Sequence, residues 1–304
     1  MCDGGLYHGP KRYYNDDSSS DDGEGEGNDC DDNDENTAEL DEDSEITNQP
    51  ILKKDIIVFD VDGTLVESSL EISDDNAIIL NKLRETYDIA ICGGGTLDKI
   101  LKQMNNKVFF DHYFTECGCV YNKHIPTNTN INSLTTVYKK NIRNHVMYDK
   151  INILIKECLS YFSEVEYTLT GHFIDLRCGI IYVSCIGMQA SEDERNYFKI
   201  LNKDDIIRKT LLEKLHNKLD EMNLKSEISV TYGGTVGIAI YPCEYDKIQI
   251  LETINKYNYD NIIYFGDKYE IGGNDHLLIH SDKIIGHKID AVDETFRILK
   301  EHYI

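Results

Sequence analysis

A chain of 304 residues with 40% hydrophobic side chains is long enough for one or two domains with sizeable cores. Its net charge of −24 is concentrated: residues 1–50 hold 17 acidic side chains against Lys11 and Arg12, which leaves the other 254 residues at about −9, with no basic field for nucleic acid. No apolar run reaches membrane-spanning length, no signal-peptide core opens the chain, and nine cysteines without a C-x-x-C pair fit the reduced thiols of a cytoplasmic protein.

Residues 1–52 are rich in Asp, Glu, Gly, Ser and Asn and poor in large aliphatics, so they read as a disordered acidic tail that cannot offset its ordering entropy by burial. The apolar run Ile56–Phe59 then reads as a strand buried on both faces, and it ends in Asp60 and Asp62 followed by Gly63-Thr64. Residues i and i+2 of an extended chain point the same way, so the two carboxylates project together from the strand's carboxyl end, where open α/β sheets bind ligands. Two such charges repel unless a cation or a shared proton lies between them. A metal ion and a phosphoryl group are the natural occupants; a solvated acidic turn would need only one aspartate.

Ser73 is placed to cap a helix over about residues 74–87, and DIAIC at 88–92 reads as the next strand. Gly93-Gly94-Gly95-Thr96 follows, and behind it Leu97, Ile100, Leu101 and Met104 mark one helix face. A strand, a glycine turn and a helix N-terminus together present backbone N–H groups to an anion, although three glycines alone are commonly a tight turn. From about Tyr121 to Lys140 the chain is polar and aperiodic and reads as the exit from a first domain. A periodic helix around Ile151–Phe162 follows, with short strands expected over 165–169, 173–177, 180–184, 227–231 and 235–241. Between them stand a capping box at Ser191–Glu194 and a helix over about 204–222, an order that argues for an α+β insert. After Pro242 come a helix over 247–257, the strand NIIYF at 261–265, and the acidic cluster Gly266-Asp267 with Gly272-Gly273-Asn274-Asp275. A hard cation such as Mg²⁺ bound at Asp60 and Asp62 would find its remaining oxygen ligands there. His276 reads as an ordinary helix N-terminal residue.

The set FDVDGT at 59–64, the GGG turn, Lys247 and FGDK…GGNDH at 265–276 resembles the haloacid-dehalogenase superfamily, and more narrowly the eukaryotic phosphomannomutase family. The resemblance spans residues 53–304. It implies an α/β fold: a Rossmann-like parallel-sheet core, residues 53–126 and 244–304, with an inserted α+β cap over 127–243. It implies Asp60 as nucleophile, Asp62 as general acid and base, and Lys247 as neutraliser of the phosphoryl oxygens. Mg²⁺ would be held by Asp60, the backbone carbonyl of Asp62 and Asp267, with Asn274 and Asp275 close by. Arg177 and Arg195 match cap positions that clamp the distal phosphate, and Gly94 and Gly95 lie in the phosphate cradle. The implied substrates are hexose phosphate and hexose bisphosphate, and the implied assembly is a homodimer through the cap.

The departures lie at the substrate. An arginine of the family is Ser69 here and another is Met188; a serine and an aspartate that contact the sugar read as Gly237 and Ala239; the family's serine and aspartate in the glycine turn are Gly95 and Thr96. At roughly 1.5–3 kcal/mol per charge-assisted hydrogen bond, two missing arginines weaken phosphate binding by about 10²–10⁴ unless Lys139, Lys140 or Arg143 compensates. The leading expectation is a phosphomannomutase serving GDP-mannose synthesis. The alternatives are a sugar-phosphate phosphatase, a mutase for another hexose phosphate, and a non-catalytic binding protein that works through its tail.

Overall fold

The computed structural model describes residues 55–68, 70–125 and 133–304; the expected acidic tail and Ser69 lie outside the described residues. The apolar run forms β1 (Asp55–Phe59), and its alternation feeds two cores. Ile57 and Phe59 pack with Leu80, Phe296 and Leu299 on one side of the sheet, and Ile56 and Val58 with Ile250, Ile254 and Leu278 on the other. All four side chains are fully buried, at roughly 1.5–3 kcal/mol each, so a charged residue at Val58 would break the sheet at its centre.

Helix α1 (Asp74–Leu83) begins where Ser73 Oγ accepts the Asn76 N–H (3.2 Å) and ends four residues before the expected stop. Then come β2 (Asp88–Cys92), α2 (Leu97–Met104) and β3 (His112–Thr115). The stretch that reads as polar and aperiodic is a hairpin instead, β4 (Val120–Ile125) and β5 (Ser133–Lys139). It sits at the edge of the sheet and buries only part of its surface, so polar residues serve it; Thr136 Oγ1, for example, donates to Asn122 Oδ1 (2.7 Å). The first sheet therefore runs through Lys139, past the boundary expected at residue 126.

The chain from Ile142 to Pro242 builds a second sheet. It contains α3 (Tyr148–Phe162), β6 (Ile174–Leu176), β7 (Ile181–Ser184), α4 (Glu192–Leu201), α5 (Ile206–Met222), β8 (Ile228–Gly233) and β9 (Gly237–Pro242). These four strands pair antiparallel in the order β6-β7-β9-β8, with α3 and α5 contributing Leu154, Cys158, Leu211 and Leu215 to the core of this sheet. The capping box opens α4 with both reciprocal bonds, Ser191 N–H to Glu194 Oε2 (2.7 Å) and Glu194 N–H to Ser191 Oγ (3.3 Å). Residues 165–169, expected as a strand, are irregular: the Tyr167 hydroxyl donates to the Cys185 carbonyl, and the backbone bond nearby is Thr170 N–H to Ile186 O.

The chain returns to the first sheet through α6 (Ile250–Ile254), β10 (Asn261–Gly266), α7 (His276–Ile279), β11 (Ile285–Lys288) and α8 (Val292–His302). The strand order is β11-β10-β1-β2-β3-β4-β5, parallel from β11 through β3, and β10 and β1 are direct neighbours, Phe265 facing Phe59. The fold is α/β, a Rossmann-like parallel-sheet core carrying an α+β cap, the architecture that the resemblance implied. Adjacency of β1 and β10 brings two loops 200 residues apart in sequence to the same carboxyl edge.

Candidate active site

At the end of β1 the Asp60 N–H donates to the Phe265 carbonyl (2.9 Å), which ties the first aspartate to the end of β10. The turn beyond it closes on the Val61 carbonyl, which accepts from Thr64, Leu65 and Val66. Gly63 is required there: its φ is +92°, and a Cβ would lie 2.5 Å from Asp267 Oδ2. Gly266 serves the same purpose by close approach, since a Cβ would come within 2.6 Å of Asp275 Cγ.

Between these strand ends lies Lys247, fully buried although charged. Its Nζ donates to Asp60 Oδ1 and to Asp275 Oδ1, both at 2.6 Å. Asp275 is also fully buried and accepts from the Tyr264 hydroxyl (2.5 Å) and the Lys268 N–H (2.9 Å). Carboxylate oxygens of Asp60, Asp267 and Asp275 lie within 4.8 Å of one another. Burial pushes the Asp60 carboxyl up to about 8; Lys247 pulls it down, and Asp275 and Asp267 add to the rise. Burial works against the charge on Lys247, but Asp275 and Asp60 outweigh it and hold the ammonium well above its ordinary range. Asp267 is likewise raised by burial, against the ion pair it makes with Lys268.

This arrangement lacks positive charge. Two buried acceptors, Asp267 Oδ1 and Asn274 Oδ1, have no hydrogen-bond partner, and a buried oxygen without a donor is costly unless something else meets it. Three carboxylates and an amide oxygen make a hard, all-oxygen donor set, which fits a divalent cation. Asp62 does not join the cluster through its carboxylate. Lys99 Nζ donates to its Oδ2 and Gln103 Nε2 to its Oδ1 (2.8 Å), so the side chain is held toward α2.

A cleft of about 920 Å³ opens over Asp60, Asp62 and Asp267 and reaches the cap, where Arg177 and Arg195 line it. Gly94 and Gly95 line it from the core. Arg177 bridges the two layers: Nε donates to Asp175 Oδ2 (2.7 Å) and Nη1 to the Gly94 carbonyl (3.3 Å). Arg195 is held within the cap by the carbonyls of Ala190 (3.1 Å) and Met188 (3.0 Å). Lys139, Lys140 and Arg143 do not line the cleft. Lys140 instead donates to Gln249 Oε1 (2.6 Å) and lies over the Tyr245 ring. Lys225, paired with Asp220 (2.5 Å), lines it in their place.

Several contributors escaped the sequence reading. Lys99 and Gln103 are spaced i, i+4 on the face of α2 beside its apolar stripe, a spacing that could have marked them. Glu116 left no such signal. It sits in a left-handed turn (φ +50°), and its buried carboxylate accepts the N–H groups of Cys178 (2.6 Å) and Gly179 (2.9 Å) in the cap turn that follows Arg177.

The model of the family described as eukaryotic phosphomannomutase matches residues 76–304, which include Arg177, Arg195, Lys247, Asp267, Asn274 and Asp275 and begin beyond Asp60 and Asp62. The chain belongs to the eukaryotic phosphomannomutase family. Phosphomannomutase of Saccharomyces cerevisiae is 33% identical over 252 residues, 81% of this chain and 93% of that one. Phosphomannomutase of Solanum lycopersicum is 31% identical over 245 residues, 80% and 91% of the two chains. Among solved structures, an IMP-bound IMP-nucleotidase of Plasmodium falciparum superposes with a TM-score of 0.57 at 14% identity, covering 81% of this chain and 67% of that one, a likeness of fold alone. Phosphomannomutase function, an isomerisation by phosphoryl transfer on a sugar phosphate, follows from the family. Among the described residues, no helix is long and apolar enough to cross a membrane.

Proposed function

We propose that the chain interconverts mannose 6-phosphate and mannose 1-phosphate, and so supplies GDP-mannose synthesis, by passing the phosphoryl group through Asp60. The observation that carries this reading is the juxtaposition of Asp60 with Lys247, Asp267 and Asp275 at one edge of the sheet. Lys247 engages Asp60 Oδ1, so Oδ2 attacks the phosphorus of a hexose bisphosphate as the bond to the sugar oxygen breaks. Asp62, steadied by Lys99 and Gln103, gives its proton to the departing oxygen. When the sugar returns in the opposite orientation, Asp62 takes the proton from the incoming hydroxyl, which attacks the aspartyl phosphate and regenerates the Asp60 carboxylate. The hard donor set suits Mg²⁺ held by Asp60, Asp267 and Asn274, with Asp275 behind and the Asp62 carbonyl as a further oxygen; when bound, the ion offsets charge on the transferring group. Arg177 and Arg195 hold the phosphate that does not react. A cytoplasmic homodimer joined through its caps completes the proposal.

A second reading, net hydrolysis of sugar phosphates, draws on the cap. Met188 lines the cleft at the position where the family resemblance calls for an arginine, and both cap arginines already hold protein oxygens. A weakly held bisphosphate leaves early and exposes the aspartyl phosphate to water. A coupled assay of mannose 1-phosphate turnover with a hexose bisphosphate present, read beside inorganic phosphate release, separates the two. Isomer in excess over phosphate supports the mutase; phosphate alone supports hydrolysis; neither, from folded protein, sinks both.

A further inference from the structure

The cap's wall of the cleft is dominated by one aromatic ring. In β7, Ile181 and Val183 are buried in the cap core, so strand alternation turns Tyr182 and Ser184 toward the cleft. Tyr182 faces Ala239 across the ladder, and Ser184 faces Gly237. A Cβ on Gly237 would lie 2.5 Å from Cζ and Oη of Tyr182, and one on Gly233 would lie 2.8 Å from its Cε2. The ring thus leans across β9 to the far strand and fills the space that side chains at 233 and 237 would occupy. The guanidinium of Arg177 lies 4.9 Å from the ring centroid, within cation–π range, which helps to hold the ring in place.

Three hydroxyls of the strands beside the ring are engaged. Ser184 Oγ accepts the Gly187 N–H (3.0 Å), Ser229 Oγ contacts Cys243 Sγ (3.6 Å), and Thr231 bonds the Tyr241 phenol. The Tyr182 hydroxyl makes no hydrogen bond among the described residues. The wall therefore offers at this point an apolar ring face with an available polar tip, beside an arginine that can take a phosphate.

We propose that Tyr182 is a specificity-determining residue of this cleft: its ring carries the C–H face of the hexopyranose, and its hydroxyl reads a sugar hydroxyl. The proposal rests on the mutase reading above. A site lined with paired polar groups for each substrate hydroxyl rejects an analogue by about 10⁴–10⁵, whereas an apolar wall discriminates only about 10–10²-fold. On this reading, what discrimination there is between hexose phosphates that differ at one ring carbon passes through Tyr182.

The test measures kcat and KM of the full chain, Tyr182→Phe and Tyr182→Ala on mannose 1-phosphate and glucose 1-phosphate, with transfer of labelled phosphate from a hexose bisphosphate to Asp60 followed in parallel. The expected result is a wild-type kcat/KM ratio between the two sugars within about 10²-fold, as for an apolar wall. Tyr182→Ala should raise both KM values about tenfold or more with kcat nearly unchanged, the pattern of lost uniform binding. Tyr182→Phe keeps the ring and its packing on Gly233 and Gly237, and should hold KM near wild type for one sugar while raising it several-fold for the other, which shifts the ratio between them. Equal KM values in wild type and a folded Tyr182→Ala overturn the proposal, as does an unshifted ratio in Tyr182→Phe or a wild-type ratio above about 10⁴. If Asp60 is labelled in every variant, such a failure is of the proposal alone. If wild type itself takes no label, the mutase reading falls and this proposal with it.

Discussion

The two ends of the cleft treat charge in opposite ways. At the core end Asp60, Asp275 and Lys247 are buried against one another, and Asp267 and Asn274 keep unpartnered oxygens beside them. At the cap end Arg195 rests on two backbone carbonyls and Arg177 on the Asp175 carboxylate and one carbonyl, and Tyr182, Gly233 and Ala239 line the wall beside them. A set of buried carboxylates does not tolerate the loss of its shared cation, because the charges that remain are uncompensated in a low-dielectric interior. An apolar wall can exchange side chains at modest cost. The difference fits a chain that carries Asp60, Asp62, Lys247 and Asp267 of the resemblance at its core end and departs from it in the glycine turn and in the cap.

The sharpest way to break this comparison is at the nucleophile. Asp60→Asn should lower turnover by about 10⁴ or more, since transfer through the residue has no substitute. Its fold should survive, because the amide removes one of the mutually repelling acids. Loss of label transfer from a bisphosphate, with an unchanged or raised Tm, is the expected pair of results. Retained turnover would remove Asp60 from the mechanism.

Lys247→Met tests the same end from the side of stability. It strands Asp60 and Asp275 without their common cation, so unfolding free energy should drop by about 3–5 kcal/mol, read by denaturant titration. A comparable truncation in the cap, Arg195→Ala, leaves only carbonyls that water can reach and should cost less than about 1 kcal/mol of stability. Equal losses from the two substitutions would erase the contrast between the ends.

How legible this was depended on the range of the signal. The DVDGT turn and the cluster at 267–275 announce themselves locally, through alternation, glycines and paired acids, and adjacency of β1 and β10 joins them. The β4–β5 hairpin did not, because β5 is the edge strand and only the first half of β4 is buried, with the polar Asn122 among those buried residues. The long helix expected over 247–257 breaks into 3₁₀ and α segments, with Asp246 accepting the Ile248 N–H so that Lys247 can point inward. Tyr182 was invisible because its meaning lies in Gly233 and Gly237, more than 50 residues on, whose missing side chains make room for it. Glu116 was invisible for the same reason: its partners are backbone groups of the cap.

The link between the ends can itself be weakened. Glu116→Gln keeps the shape of the clasp on Cys178 and Gly179 but replaces two bonds to a carboxylate with bonds to an amide, a loss of about 1–2 kcal/mol. The turn it holds follows Arg177, so KM for hexose phosphate should rise several-fold, by about fivefold for each kcal/mol lost from that alignment. A larger change in kcat than in KM would place Glu116 in the chemistry, contrary to the division between the two ends.

A further effect is expected on pH. In metal-free protein the Asp60 carboxyl is raised by burial from 3.8 to about 8. Between those values the folded chain keeps a proton that the unfolded chain has released, so stability is highest below the window and falls as pH rises through it. The Tm of metal-free protein should therefore decline from about pH 5 to pH 8, by roughly 2–4 °C for each kcal/mol lost in a domain of this size. A divalent cation at the three carboxylates favours the ionised form, so the rise in Tm on adding Mg²⁺ should grow over the same interval and vanish in Asp60→Asn with Asp267→Asn. A rise in Tm that is independent of pH would mean that the ion binds elsewhere, and Arg195→Ala, which touches only the cap, should leave the profile unmoved.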